Sequence, residues 1–373
     1  MEKTINVRQA SLLLVIFTVA LKLSVLPAMI SDYSAIDGYI TCFFALIIDF
    51  ICTLTIILIM RKLPDTNFFE LITQAFGKVI SKIIFLFMSI YFILKSIISL
   101  LELHDYYITA LFEDIKPIYF LFVLSFLLLY LFNRSFRNLG RTLQVFFWPL
   151  LIGLLFTLIY PISDIQLTNL LPIFSDGPYP IFNGIVHTAI GFGDFMIMLL
   201  LMGHIKPAKN TTKILISYLS FAMLFVVLFY ICFQGSFGAT SVGQTLALSD
   251  LPLHNPYPAN LGKLEWLTIL IWTIILLFES TILGKCACKC FGVVFNCSEK
   301  KTPAMVVSTI VVNLLGITYL KLYNMIAFAI RSWFSVVIFA FHFILIILTI
   351  IAYIIYQNKE KKYEKYLQEN NAE

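Results

Sequence analysis

The residues able to do chemistry in this chain are ionisable groups set inside apolar runs. In VALKLSVLPAMI, Val19 to Ile30, a lysine (Lys22), a serine (Ser24) and a proline (Pro27) interrupt an otherwise hydrocarbon-like stretch. In HTAIGFGDFMIM, His187 to Met198, the interruption comes from Gly191, Gly193 and Asp194. Lys95 and Glu279 stand in two further apolar runs. A lysine at bilayer depth costs roughly 2.5–3.5 kcal/mol on insertion scales, and Pro27 deletes a backbone hydrogen bond that hydrocarbon cannot replace. Two readings stand for each segment. Lys22 either snorkels to one interface from a proline-kinked helix or faces protein and a watery cavity. The glycines either let helices pack closely or break the helix. Where a helix breaks, freed N–H groups suit a carboxylate and freed carbonyls suit a cation or an ammonium. Charges in hydrocarbon are usually paired, so Lys22 is expected to meet Glu279 or Asp194, and an acid there also suits proton relay. Asp49 and His342 are expected to lie outside this set.

Other chemistries find little support. Catalysis needs a nucleophile with a base, or a metal triad, at one depth. His104 and Asp105 adjoin near an interface and His187 precedes Asp194 by seven residues, but no ligand set has metal spacing. The phosphate-binding pattern G-x-x-x-x-G-K-[ST] is absent. The chain is therefore expected to be no enzyme and to hold no cofactor and no metal. Of the 7 cysteines, Cys286, Cys288, Cys290 and Cys297 cluster. They suit a soft metal, a palmitoyl group or simple packing, on a side where thiols stay reduced.

The elements that position these groups follow from composition. With 373 residues, 60% hydrophobic and 13% charged, the chain is far more apolar than a soluble globule, at about 45–50%. Ten apolar runs approach or reach the length that crosses a bilayer: Ser11–Ser31, Gly38–Met60, Ile83–Leu103, Pro117–Phe132, Thr142–Tyr160, Ile181–Met202, Ile214–Phe233, Leu264–Leu283, Ala304–Leu320 and Phe334–Tyr356. With the N-terminus in the cytoplasm, only Lys116, Lys263, Lys321 and Arg331 of the 26 Lys and Arg fall outside, and Lys22 and Lys95 within spans. That asymmetry predicts a multi-pass protein with both termini cytoplasmic. It also explains the net charge of +5 without a nucleic-acid partner. The first run is expected to stay in the protein, since it carries no small-residue cleavage site.

Phe68 to Lys82 is expected along the cytoplasmic interface. The outer loop Gly235 to Lys263, with Pro252, Pro256 and Pro258, is expected to be ordered by turns or a short helix. The tail 357–373 is expected to be solvated. Spans one and six, the broken ones, open two five-helix halves, about 11–160 and 181–356, within a single membrane domain 1–373. The pattern predicts an all-α integral membrane protein of about ten transmembrane helices, with a LeuT-type 5+5 inverted repeat and broken helices 1 and 6. Lys22, Lys95, Asp194 and Glu279 then fall on the helices lining its centre.

The chain resembles the spore germination permeases, the B subunits of nutrient germinant receptors, within the amino acid, polyamine and organocation transporter superfamily. The resemblance rests on INVRQ at Ile5 to Gln9, Leu26 and Pro27, FGKVISK at Phe76 to Lys82 and NRSFRNLGR at Asn133 to Arg141. It continues through NLLPIFSDGPYPIFNG at Asn169 to Gly184, FGD at Phe192 to Asp194 and GKLEW at Gly262 to Trp266. It implies a permease in the inner membrane of a dormant spore that recognises a small nutrient, often an amino acid, and acts with A and C subunits. Carried over, it implies ligand contacts at Ala20, Lys22, Ser24 and Val25, at Gly191, Gly193 and Asp194, and on spans three and eight at Lys95, Ser99 and Thr273. A basic residue is expected on span eight where this chain has Glu279, and a glycine-rich first break where it has Ala20 and Lys22. The lysine then either neutralises a ligand carboxylate or takes the place of a sodium ion. A proton-coupled transporter of amino acids or amines is the second functional reading.

Overall fold

In hydrocarbon a long apolar run satisfies its backbone N–H and C=O groups only within itself or a closed barrel, and this chain takes the helical solution. The computed structural model describes residues 5–110, 117–159, 165–174, 176–206, 208–244, 264–298, 300–319 and 333–370, with the single positions 162, 247 and 251. Its helices are α1 (Val7–Leu23), α2 (Leu26–Ser34), α3 (Gly38–Lys62), α4 (Phe68–Ala110), α5 (Pro117–Phe132), α6 (Phe136–Ile159), α7 (Pro178–His187), α8 (Phe195–Leu201), α9 (Thr211–Phe237), α10 (Leu264–Phe295), α11 (Thr302–Tyr319) and α12 (Trp333–Asn370). Short 3-10 turns at Ala35–Asp37, Leu167–Leu170, Ala189–Gly191 and Gly238–Gly243 complete the path. Among the described residues there is no strand, only an isolated bridge between Ile5 and Ile205. The protein is an all-α integral membrane protein.

Among the described residues six helices are long and apolar enough to cross a membrane, and α7 with α8, bent by 54°, makes up to seven. A tally of ten needs α1, α5 and α11 as well, whose described parts are 17, 16 and 18 residues long. In the tail, residues 358–361 are exposed, as expected of a solvated segment. Helix α12 continues unbroken to Asn370, and Lys359 Nζ donates to the carbonyl of Gln74 at 2.8 Å. In the loop after α9 a 3-10 turn supplies the order at Gly238–Gly243, while Pro252, Pro256 and Pro258 lie outside the described residues.

The centre of the bundle is α1 and α8. Every residue of α1 except Arg8 is buried, as is all of α8. A helix buried all round is a core helix, whatever its amphipathicity. Helix α9 packs along one side of α1, α6 and α10 along others, and α4 and α10 form the most extensive helix pair. The large apolar side chains of Phe122, Val145, Leu224 and Ile344 point outward instead, as lipid-facing surfaces require.

Two breaks organise that centre. Helix α1 stops at Ser24, whose backbone leaves the helical region at φ −90° and ψ −91°. Pro27 then sits in the first turn of α2, where its missing N–H would have had no partner within the helix. Helices α7 and α8 are separated by a 3-10 turn and by Gly193 at φ +95°. A third break, Gly77 at φ +80°, splits the first residues of α4, Phe68 to Phe76, from the rest of the helix. Nothing lies near the Cβ that a side chain there would add, so that glycine serves the backbone conformation rather than packing.

Glycine also sets how closely spans cross. A Cβ on Gly284 of α10 would overlap the ring of Phe132 at the end of α5. Gly284→Ala is expected to lower stability by about 1–3 kcal/mol through overpacking, read as a lower thermal midpoint in detergent. Adding Phe132→Leu should restore part of the loss. An unchanged midpoint in the single variant would mean that α5 and α10 do not meet at this glycine.

Candidate functional site

The breaks bring charges together at the core. Lys22, in the last turn of α1, is fully buried, and its position at a helix C-terminus suits a cation. Its Nζ lies 2.7 Å from Asp194 Oδ1 and 3.6 Å from Asp49 Oδ2. Asp49 comes from the middle of α3, which packs on α7 and α8. Its other oxygen accepts the backbone N–H of Asp194 at 3.0 Å. One ammonium and one amide therefore hold two carboxylates side by side. Of the two acids expected to meet Lys22, Asp194 is the one in contact. Asp49, expected outside the central set, lies inside it, because α3 presents its single mid-helix acid to the α7–α8 break.

Lys95 of α4 takes a different partner. Its Nζ donates to the carbonyls of Gly191 and Phe192 at 3.3 and 3.2 Å, which the break leaves without helical N–H donors. Tyr91, one turn earlier, donates its hydroxyl to the same Phe192 carbonyl at 2.6 Å. The Phe17 ring lies under the ammonium at 4.5 Å, a cation–π contact in a dry setting. The ammonium on freed carbonyls is thus that of Lys95, while Lys22 is held by acids.

Gly193 explains itself sterically. A Cβ there would come within 2.8 Å of both His342 Nε2 and the Tyr91 hydroxyl, besides straining a positive φ. His342 of α12, also expected outside the set, closes this side of the break, its ring edge-to-face with Tyr91 and Phe195 at 5.4 and 5.7 Å. At Gly191 a Cβ would run into the side chain of Leu26, so the two breaks pack directly against each other.

Glu279 of α10 is buried and accepts the Ser99 hydroxyl at 3.0 Å, one turn beyond Lys95 on α4. Ala20 is buried beside this cluster on α1, Ser24 donates back to the Leu21 carbonyl at 3.4 Å, and Val25 is half-buried. Thr273 stands apart, nearly two turns before Glu279 on α10, where its hydroxyl meets that of Tyr107 at 3.1 Å. Cys286, Cys288 and Cys290 are buried along α10, with Cys288 on the opposite face from the other two, so the run does not converge on one point. Among the described residues, Asp194 Oδ2 and Glu279 Oε1 are buried acceptors without a donor.

Fold and site together define a polytopic helical membrane protein whose buried ions gather where its core helices break, the construction of a permease. A family model described as "Spore germination protein", of the spore permease type, matches residues 4–313, and the chain belongs to that family. It is also similar to "Spore germination protein YndE" of Bacillus subtilis (strain 168), 20% identical over 210 residues. That alignment covers 56% of this chain and 58% of the relative, so the chain spans somewhat over half the length of the curated relative it matches.

Removing one member of a buried ion pair strands the other, at a cost of about 3–5 kcal/mol. Lys22→Met leaves Asp49 and Asp194 facing each other and is expected to destabilise by that order, while Lys22→Met with Asp194→Asn should be less damaging than the sum of the two single changes. Thermal unfolding of the four proteins in detergent gives the cycle. Strict additivity would mean that the two side chains do not interact.

Proposed function

We propose that this chain is the nutrient-recognising B subunit of a germinant receptor, with the ligand held between the α1–α2 and α7–α8 breaks. The observation that carries the reading is the buried cluster of Lys22, Asp49, Asp194, Lys95 and Glu279 at facing helix breaks, in a chain of the spore germination family. Charges in the membrane mark substrate or proton paths by default. The unsatisfied oxygens of Asp194 and Glu279 suit an ammonium group, and Lys22 and Lys95 suit a carboxylate, so a small amino acid or similar molecule is the ligand class. Ala20, Ser24, Val25, Ser99, Gly191 and Gly193 would supply the remaining surface.

On this reading the ten runs form a LeuT-type pair of five-helix repeats, about 11–160 and 181–356, with both termini cytoplasmic, in the spore inner membrane beside A and C subunits. Two built-in ammonium groups at the breaks make recognition independent of a sodium ion. A second reading, proton-coupled transport of amino acids or amines, is favoured by one feature: three buried carboxylates face two lysines, which leaves an acid free to carry a proton.

Ligand-dependent thermal stabilisation of the purified chain over an amino-acid and nucleoside panel tests the site. A ligand at 100 times its Kd, binding only the folded state, adds about 2.7 kcal/mol of stability. The expected result is a hit that Lys22→Ala and Asp194→Asn both abolish. A hit that survives both changes would place recognition elsewhere. Net uptake of the same labelled compound by the chain alone in vesicles, lost in Asp194→Asn, would favour the transporter over the receptor.

A further inference from the structure

Helices α5, α6 and α10 enclose between them a cavity of about 500 Å³. Along its length the walls are hydrocarbon: Leu127 and Leu131 from α5, Phe146 from α6, and Leu277 and Phe278 from α10. At one end Arg134, Asn138 and Thr142 take over. Leu127 and Phe146 are also 38% and 37% exposed on the outer face of the bundle, so the cavity is a groove open to the surroundings of the helices. An apolar length with a polar end matches an amphiphile lying along the bundle.

Charge specifies which amphiphile. The stretch Asn133 to Gln144 holds Arg134, Arg137 and Arg141 and no acid, and α10 from Ser280 to Phe295 holds Lys285 and Lys289 and no acid. Lys285 is one turn beyond Thr281, which lines the groove, and so shares its face. Arg134 is exposed, and its guanidinium lies over the Tyr130 ring at 4.1 Å. Such stacking holds its planar fork of donors at the mouth, in the form that grips phosphate with two bonds. A soluble anion would leave the apolar length unused. A zwitterionic lipid would bring its own cation into this basic cluster.

We propose that the α5–α6–α10 groove is a binding site for an anionic phospholipid. The acyl chain lies along Leu131, Leu277 and Phe278, and the phosphate is held at Arg134 with Asn138 and Thr142 beside it. Basic groups beside a groove between membrane helices are the recurrent setting for such lipids. The site needs only that this end of the bundle lies at a membrane interface, and it stands independently of the nutrient reading. It has a consequence for the centre: Phe278 precedes Glu279 in the same turn of α10, so a bound lipid bears on the turn that holds Glu279 against Ser99.

Native mass spectrometry of the purified full-length chain, titrated with phosphatidylglycerol or phosphatidylcholine of the same acyl composition, tests the site. Phosphatidylglycerol should be retained at concentrations at least about tenfold lower. Arg134→Ala should bring the two lipids to near parity. Leu277→Trp, which fills the groove without touching a charge, should also reduce retention of phosphatidylglycerol. Lys209→Ala with Lys213→Ala, exposed lysines just before and in the first turn of α9, should leave the preference intact, and glycerophosphoglycerol without acyl chains should not be retained. Equal retention of the two lipids by the unmodified chain overturns the proposal, as does an equal loss of preference in the Lys209 and Lys213 variant or full retention in Leu277→Trp. Should the arginine variant fail to fold, the unmodified chain and Leu277→Trp still decide.

Discussion

A lysine ammonium enclosed on every side, with no access to water, is the constraint on which the centre of this protein depends. Lys22 has no exposed surface, so its charge must be met by charges from other elements or not be there at all. The two acids that meet it come from α3 and from the start of α8. That requirement fixes how three elements distant in sequence approach one another. It also rules out an unbroken span in place of α7 and α8, because Asp194 reaches Lys22 only where the backbone turns at Gly193. The amide of Asp194, released from helical bonding by that turn, is spent on Asp49. The break and the charge cluster are therefore one feature, each supplying what the other lacks.

The second lysine solves the complementary problem. A broken span leaves carbonyl groups as well as amides, and an unpaired carbonyl at membrane depth costs several kcal/mol. Lys95 and Tyr91, one turn apart on α4, cap the Gly191 and Phe192 carbonyls. Aromatic surfaces from Phe17 and Tyr91 complete the ammonium's shell. The two lysines thus divide the work: one balances carboxylates, the other stands where freed carbonyls would otherwise draw a cation. No residue with a side chain could replace Gly193 in this arrangement, since Tyr91 and His342 already fill the space beside it.

Much of this is legible in residue order. Apolar runs and the sidedness of Lys and Arg report membrane helices directly, because each run must satisfy its backbone alone. The two interruptions mark the breaks, because Lys22, Pro27, Gly193 and Asp194 have no use in an intact span. Asp49 is misplaced by residue order for a definable reason. A lone acid in a 25-residue apolar helix announces that it must be paired, but periodicity does not say which neighbour that face of the helix will meet. His342 escapes the same way. Thr273 is carried to the centre by family likeness, whereas the pitch of α10 sets it nearly two turns from Glu279. The extent of α12 stays hidden because alternating charges read equally as a solvated coil or as a solvated helix.

The same cluster bears on how a ligand could act. Lys22 is shared between Asp194 and Asp49, and the shorter contact is to Asp194. A zwitterion entering between the breaks would bring an ammonium for Asp194 and a carboxylate for Lys22. It would then replace one pair of buried contacts by another instead of opening a pair into a void. Exchange of that kind avoids the penalty of stranding either charge, and it leaves Lys22 free to lean towards Asp49 on α3. A ligand shifts a conformational balance only by as much as it favours one state over the other, and partner exchange at Lys22 is a way to create such a difference without unfolding the break. Receptor and transporter would share this step. They would differ in its outcome: a shift of α3 against α8 would be passed to another subunit in a receptor and would open a path through the membrane in a transporter.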